Sequence, residues 1–105
     1  MDHLIKDISP KEVAKGFIGR YIHTASMTIG WVDVVKDAVL PEHSHLHEQV
    51  THVLEGKLQL TIGGETKVYE PGLVAVIPSR VVHSGLALTP CRVLDVFCPV
   101  REDYK

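Results

Sequence analysis

Leu58-Gln-Leu-Thr-Ile62 alternates apolar and polar residues and runs straight into Gly63-Gly64. Alternation of period two suits a half-buried strand. Two consecutive glycines suit the tight turn of a hairpin, because both accept positive φ. The return strand is expected over 66–69. The same punctuation recurs along the chain. Runs rich in β-branched and aromatic residues at 17–23, 27–35, 40–45, 49–55, 73–77, 83–88 and 92–97 are broken by Thr24-Ala25-Ser26, Lys36-Asp37, Gly56-Lys57, Glu70-Pro71-Gly72 and Pro78. Many short strands between Gly and Pro turns predict an all-β sandwich or barrel. The 105 residues fit one domain, and the 45% that are hydrophobic suffice for one core. Ser9-Pro10-Lys11-Glu12 has the form of a helix start, but Gly16 leaves room for one short turn only. An irregular N-terminal arm over about 1–16 is the alternative.

Composition excludes several classes of function. The net charge is −2 and the basic residues are dispersed, so no nucleic-acid footprint is expected. No apolar run approaches the roughly 20 residues of a membrane span. The N-terminus, MDHLIKDISPKEV, lacks an apolar signal core, which speaks for a cytoplasmic protein. Cys91 and Cys98 flank the run RVLDVF. In an extended strand they stand roughly 23 Å apart. A disulfide needs Cα atoms within about 7 Å, so buried free thiols are expected.

Chemistry concentrates in PEHSHLHEQVTHVLEG, residues 41–56. His43 and His45 lie two apart. In a strand both imidazoles share a face and can converge on one point, as a metal site requires. His47 falls in the bend before the next strand and is expected to face solvent. His52 has the parity of Val50 and Leu54, opposite to Gln49, and reads as packed between elements or at an interface. His3 and His23 have no partners in sequence. Towards the end of the chain, Asp95 interrupts the apolar run 92–97 with the parity of Val93 and Phe97. A carboxylate among such neighbours is costly to bury unless it is paired or functional. Either it lines a pocket, or it forms a structural pair with Arg101 or Arg92.

The pattern resembles the cupin family. That family's first motif is G, five residues, HxH, three or four residues, E, six residues, G. His43-Ser-His45, three residues, Gln49, six residues and Gly56 fit it, with Gln49 in the place of Glu and Asp37 where the opening glycine stands. The second motif is G, five residues, PxG, two residues, H, three residues, N. Gly72, Pro78 and His83 fit it, while Arg80 stands for a glycine and Ala87 for the asparagine. The resemblance implies a single-domain jelly-roll barrel, with His43, His45, Gln49 and His83 holding a divalent transition metal such as nickel, zinc, manganese or iron. A glutamine amide is neutral and a weaker ligand, so the full divalent charge would remain on the ion and favour a Lewis-acid role. The alternative for Gln49 is a hydrogen bond to a ligand histidine.

LDVFCPVRED, residues 94–103, is similar to the final segment of the small pectin-degradation cupins that linearise unsaturated uronates, as are HSHLHEQ and VLEG. This likeness spans about 40–104. It implies an active site completed by Asp95, Phe97 and Arg101, a small anionic substrate and a homodimer. Other members of the cupin family imply other readings: an Fe(II) dioxygenase that uses the three histidines, or a non-catalytic module that binds a small ligand.

Overall fold

The computed structural model describes all 105 residues. Ten strands form: β1 (Lys11–Ala14), β2 (Phe17–His23), β3 (Thr28–Val34), β4 (Val39–His43), β5 (Glu48–Glu55), β6 (Leu58–Ile62), β7 (Glu65–Tyr69), β8 (Val74–Ile77), β9 (His83–Ala87) and β10 (Cys91–Cys98). They build a six-stranded sheet, β1-β2-β3-β10-β5-β8, and a four-stranded sheet, β4-β9-β6-β7. Every pairing is antiparallel. The hairpin read from Gly63-Gly64 is present, with Ile62 opposite Glu65 and both glycines at positive φ. No helix is long and apolar enough to cross a membrane.

The N-terminal segment departs from expectation. Ser9 caps nothing. A single 3-10 turn lies earlier, at Ile5–Asp7, and 11–14 pair with β2 as an edge strand. Pro10 is compatible with this, because it precedes the first residue of an edge strand and interrupts no ladder. Cys91 and Cys98 are both free, but only Cys91 is buried.

The core lies between the sheets. Val32, Val34, Val53 and Val93 from the large sheet meet Leu58, Leu60, Tyr69 and Ala87 from the small one. Burial alternates along β10 and β3 as the pleat requires, so one face of each strand looks inward. Register then defines rows across the inner face of the large sheet. One row reads Tyr21, Gly30, Asp95, Thr51, Ala75. The next, nearer the mouth, reads His23, Thr28, Phe97, Gln49, Ile77. The apolar packing thus gives way to a polar zone towards one end of the barrel.

Candidate metal centre

His43 ends β4 and His83 begins β9, and the two are direct partners in the antiparallel ladder. Forty residues of chain are spanned by one cross-strand pair. His45 lies just past the end of β4, so the shared-face argument holds for its direction but not for its place in a strand. Its ring nevertheless turns to the others: ring centroids are 5.6 Å apart for His43 and His45, 4.2 Å for His43 and His83, and 4.8 Å for His45 and His83. One ligand atom from each of the three lies within 4.8 Å of the others.

Backbone carbonyls fix the ring tautomers. Nδ1 of His43 meets the Pro41 carbonyl at 2.8 Å, that of His45 the His47 carbonyl at 2.9 Å, and that of His83 the Val81 carbonyl at 2.8 Å. A carbonyl only accepts, so each Nδ1 carries the proton and donates. In the neutral ring, each Nε2 is left with a free lone pair. Burial lowers the pKa of His45 and of His83, which favours those neutral rings.

Gln49 is buried, and its amide is oriented by the row beneath it. Its Nε2 donates to Thr51 Oγ1 at 2.9 Å and to Asp95 Oδ1 at 3.3 Å. Thr51 in turn donates to the same Asp95 oxygen at 2.7 Å. Gln49 Oε1 therefore faces His45 Nε2, at 3.1 Å. Two lone pairs thus meet with no proton between them. His83 Nε2 is buried and has no hydrogen-bond partner at all. A cation held by His43, His45 and His83, with Gln49 Oε1 beside them, satisfies both atoms. The donor set fits a divalent transition metal. A hydrogen bond from His45 to Gln49 would need the proton on Nε2, whereas the His47 carbonyl holds it on Nδ1, so the arrangement favours Gln49 as a ligand over Gln49 as a hydrogen-bond partner.

A cavity of about 60 Å³ runs from His43, His83 and Gln49 past Asp95 and Arg101 to Val32, Leu58 and Leu60. Asp95 is half-buried in its wall. Neither structural pair read from the sequence forms. Arg101 is held instead by Asp103, through Nε at 3.0 Å and Nη2 at 2.8 Å, and Arg92 by Asp33 at 3.1 Å and Glu55 at 4.0 Å. Asp95 is left with neutral donors only. Burial pushes its carboxyl up to about 6, against the downward pull of Thr51, Gln49 and Arg101. Phe97 is buried, with its ring 6.0 Å from that of His45. The Arg101 guanidinium lies 4.8 Å from the Phe97 ring and 3.9 Å from that of Tyr104. Its backbone N–H donates to the Thr28 hydroxyl at 2.9 Å, which anchors the C-terminal segment across the mouth.

His47 is half-buried rather than solvent-facing. The bend folds its ring under the C-terminal segment, where Nε2 donates to the Val100 carbonyl at 3.2 Å and the ring stands edge-on to Phe97. It is not in the metal cluster. His52 lies on the outer face of the large sheet, between Leu94 and Val74. Sequence reasoning missed Thr51, Tyr21 and Tyr104. Thr51 carried a signal, since it is two residues from Gln49 in one strand. Tyr104 carried none, because it reaches the cavity from a 3-10 turn beyond the last strand.

Two antiparallel sheets closed over a mouth with three convergent imidazoles define a cupin. Residues 30–97 match the cupin domain family, and the chain belongs to it. The pectin degradation protein KdgF of Dickeya dadantii (strain 3937) is 30% identical over 97% of this chain and 96% of its own length. The solved structure of KdgF from Halomonas sp. is similar with a TM-score of 0.90 at 28% identity, over 97% of this chain and 96% of that one. An RmlC-like cupin from Shewanella frigidimarina NCIMB 400 has a TM-score of 0.92 at 24% identity, over 98% of this chain and 94% of that one, a likeness of fold.

Proposed function

We propose that this cupin is a metal-dependent enzyme of pectin degradation, which converts an unsaturated uronate to its open-chain keto form. The observation that carries the reading is Asp95. It is a carboxyl with no cationic partner, in the wall of the cavity that the three histidines open on to, and hydrogen-bonded to the amide of Gln49. A purely structural carboxylate in such a place would be expected to have a counter-charge.

The conversion is an isomerisation. Opening the ring turns the hemiacetal O–H into a carbonyl and frees an enol, and the enol becomes a ketone when a proton is placed on carbon. A divalent metal held by His43, His45, His83 and Gln49 supplies Lewis-acid attraction for the substrate's oxygens. Asp95 holds and delivers the proton as general acid, which its raised pKa suits near neutrality. Arg101 has Nε and Nη2 committed to Asp103 and offers Nη1 to the substrate carboxylate. Phe97 closes the wall beside His45. Two free thiols suit a reducing cytoplasm.

A homodimer is part of the proposal. The outer face of the large sheet carries a registered row of Ile22, Ile29, Val96, Val50 and Val76, and a second copy is its proposed cover.

The test is turnover of unsaturated uronate by metal-loaded protein, followed as loss of the ultraviolet absorbance of the conjugated double bond. Wild type is expected to turn over. Asp95→Asn is expected to lose about 100-fold in kcat, the usual scale for a general acid, with metal content unchanged. Failure of the loaded wild type on every unsaturated uronate tried would refute the reading.

A further inference from the structure

Two glycines stand in the middle of strands on the inner face of the large sheet, Gly19 in β2 and Gly30 in β3. Strand interiors disfavour glycine, which contributes no packing and loses the most backbone freedom on folding. Both are adjacent to Tyr21: Gly19 is two residues before it on the same face, and Gly30 is its cross-strand partner. A Cβ at Gly30 would lie 2.4 Å from Tyr21 Cε1, and one at Gly19 would lie 2.3 Å from the Tyr21 hydroxyl oxygen. The two absent side chains therefore form a slot that one phenol ring fills. Tyr104 packs on that ring at 4.9 Å between centroids.

The slot aims the hydroxyl. Gly30 shares a row with Asp95, so the ring body lies beside that carboxyl, while the hydroxyl lies over Gly19, one row deeper, level with Val32 and Val93. That is the apolar part of the cavity, away from the histidines. Tyr21 is half-buried and lines this cavity, and its hydroxyl is not among the buried side-chain atoms left without a partner, so it is open to whatever fills the cavity. Burial, then Tyr104 and Asp95, hold the phenol well above its ordinary pKa, so it acts only in its protonated form. A lone polar group in an apolar wall is costly to desolvate unless a ligand satisfies it.

Building on the proposed sugar-acid substrate, we infer that Tyr21 is a specificity-determining residue: its hydroxyl, set by the Gly19 and Gly30 slot, hydrogen-bonds a hydroxyl group of the sugar acid at the end remote from the metal. The cavity then has two poles. Oxygens near the carboxylate are held at the mouth, and one ring hydroxyl is checked at depth. A site built to pair a substrate hydroxyl discriminates against the analogue that lacks it, because its own polar group is then left unpaired.

Tyr21→Phe keeps the ring in its slot and removes the oxygen alone. With the unsaturated uronate, KM is expected to rise about 5- to 10-fold, the scale of one neutral hydrogen bond, while kcat holds within twofold. Among monodeoxy analogues of the substrate, one should be turned over equally by wild type and Tyr21→Phe, because it has already lost the contacted hydroxyl. Gly30→Ala, which displaces the ring, should reproduce the KM effect, and Thr66→Ala on the opposite sheet should not. An unchanged KM in Tyr21→Phe, in a wild type that turns over uronate, would overturn this inference and leave the proposed function standing. An equal loss on every deoxy analogue would overturn it too, as the mark of a general packing role. A wild type without uronate turnover would remove both.

Discussion

Asp95 makes a prediction about stability as well as turnover. Its carboxyl is raised from an ordinary 3.8 to about 6, chiefly by burial. A carboxyl whose pKa is raised on folding binds its proton more tightly in the folded chain. The stability it confers is therefore complete below about pH 4 and lost as pH rises through about 6. Asparagine does not titrate. In chelator-treated protein, Asp95→Asn should gain on wild type between about pH 4 and pH 8, by about 2 kcal/mol once the water of the cavity is allowed for. Urea denaturation at the two pH values measures the difference, and a constant gap between the two proteins would contradict the raised pKa. Two further residues stand where the family motifs have glycine. Asp37 has φ 69 and Arg80 has φ 67, so both keep the left-handed backbone that glycine would have supplied. The turn survives the substitution, and the Arg80 N–H still donates to the His45 carbonyl at 2.7 Å. The cost differs, because aspartate tolerates this conformation better than arginine. Arg80→Gly should stabilise by about 0.5–1 kcal/mol after the extra freedom of the unfolded glycine is set against the relieved strain, and Asp37→Gly by less. Thermal unfolding checks the order, which is the sensitive part of the prediction.

Strand ends and turns set the metal site, and they differ in what they tolerate. His43 and His83 face each other across β4 and β9, so removing either opens the cluster from a rigid ladder. His43→Ala, His45→Ala and His83→Ala should each lose the metal, and Gln49→Ala should weaken binding less, because the amide is a neutral and weaker donor. Elemental analysis after dialysis measures this, and full occupancy in His45→Ala would remove that residue from the ligand set. Gly56, which closes the first motif, joins β5 to β6 at φ 89. A Cβ there would lie 2.2 Å from the Pro90 carbonyl oxygen, a backbone atom that cannot step aside. Gly56→Ala should cost about 2–4 kcal/mol, from left-handed strain plus the clash, and lower Tm by roughly 10–20 °C. These elements were legible in the sequence because each signal is local. Alternation marks β6, paired glycines mark its turn, and the HxH spacing marks the end of β4. The pairing of His43 with His83 was legible only through resemblance, since nothing in either segment encodes the register between them. β1 was hidden because 11–14, KEVA, has the composition of a helix and becomes a strand through its ladder with β2. The Arg101–Asp103 pair was hidden by the 3-10 turn that brings neighbouring residues together, where strand parity does not apply.

The outer face of the large sheet bears on assembly. Register places Ile22 beside Ile29, Ile29 beside Val96, Val96 beside Val50 and Val50 beside Val76, an aliphatic row across five strands. The parallel row holds Arg20, Trp31, Leu94, His52 and Val74. Four interstrand steps of about 4.8 Å make each row roughly 19 Å wide. Its outermost members sit on the edge strand β8, where Val74 is 47% and Val76 60% exposed. The other members of the two rows are partly buried, but Val74 and Val76 present two exposed aliphatic side chains on one face, and β8 is a sheet edge, which proteins generally protect. A second copy docked by two-fold symmetry answers both, because the same patch then meets itself. His52 suits this place better than a solvated one, as its neighbours in the row are Leu94 and Val74. The face points away from the cavity, so assembly and metal retention are separable. Light scattering at micromolar concentration is expected to give twice the 11.6 kDa chain mass. The double variant Val50→Lys with Val76→Lys puts two charges into the row and should give a monomer with full metal content. A monomeric wild type would leave the face without its proposed partner. A dimer that persists in the double variant would put the interface elsewhere.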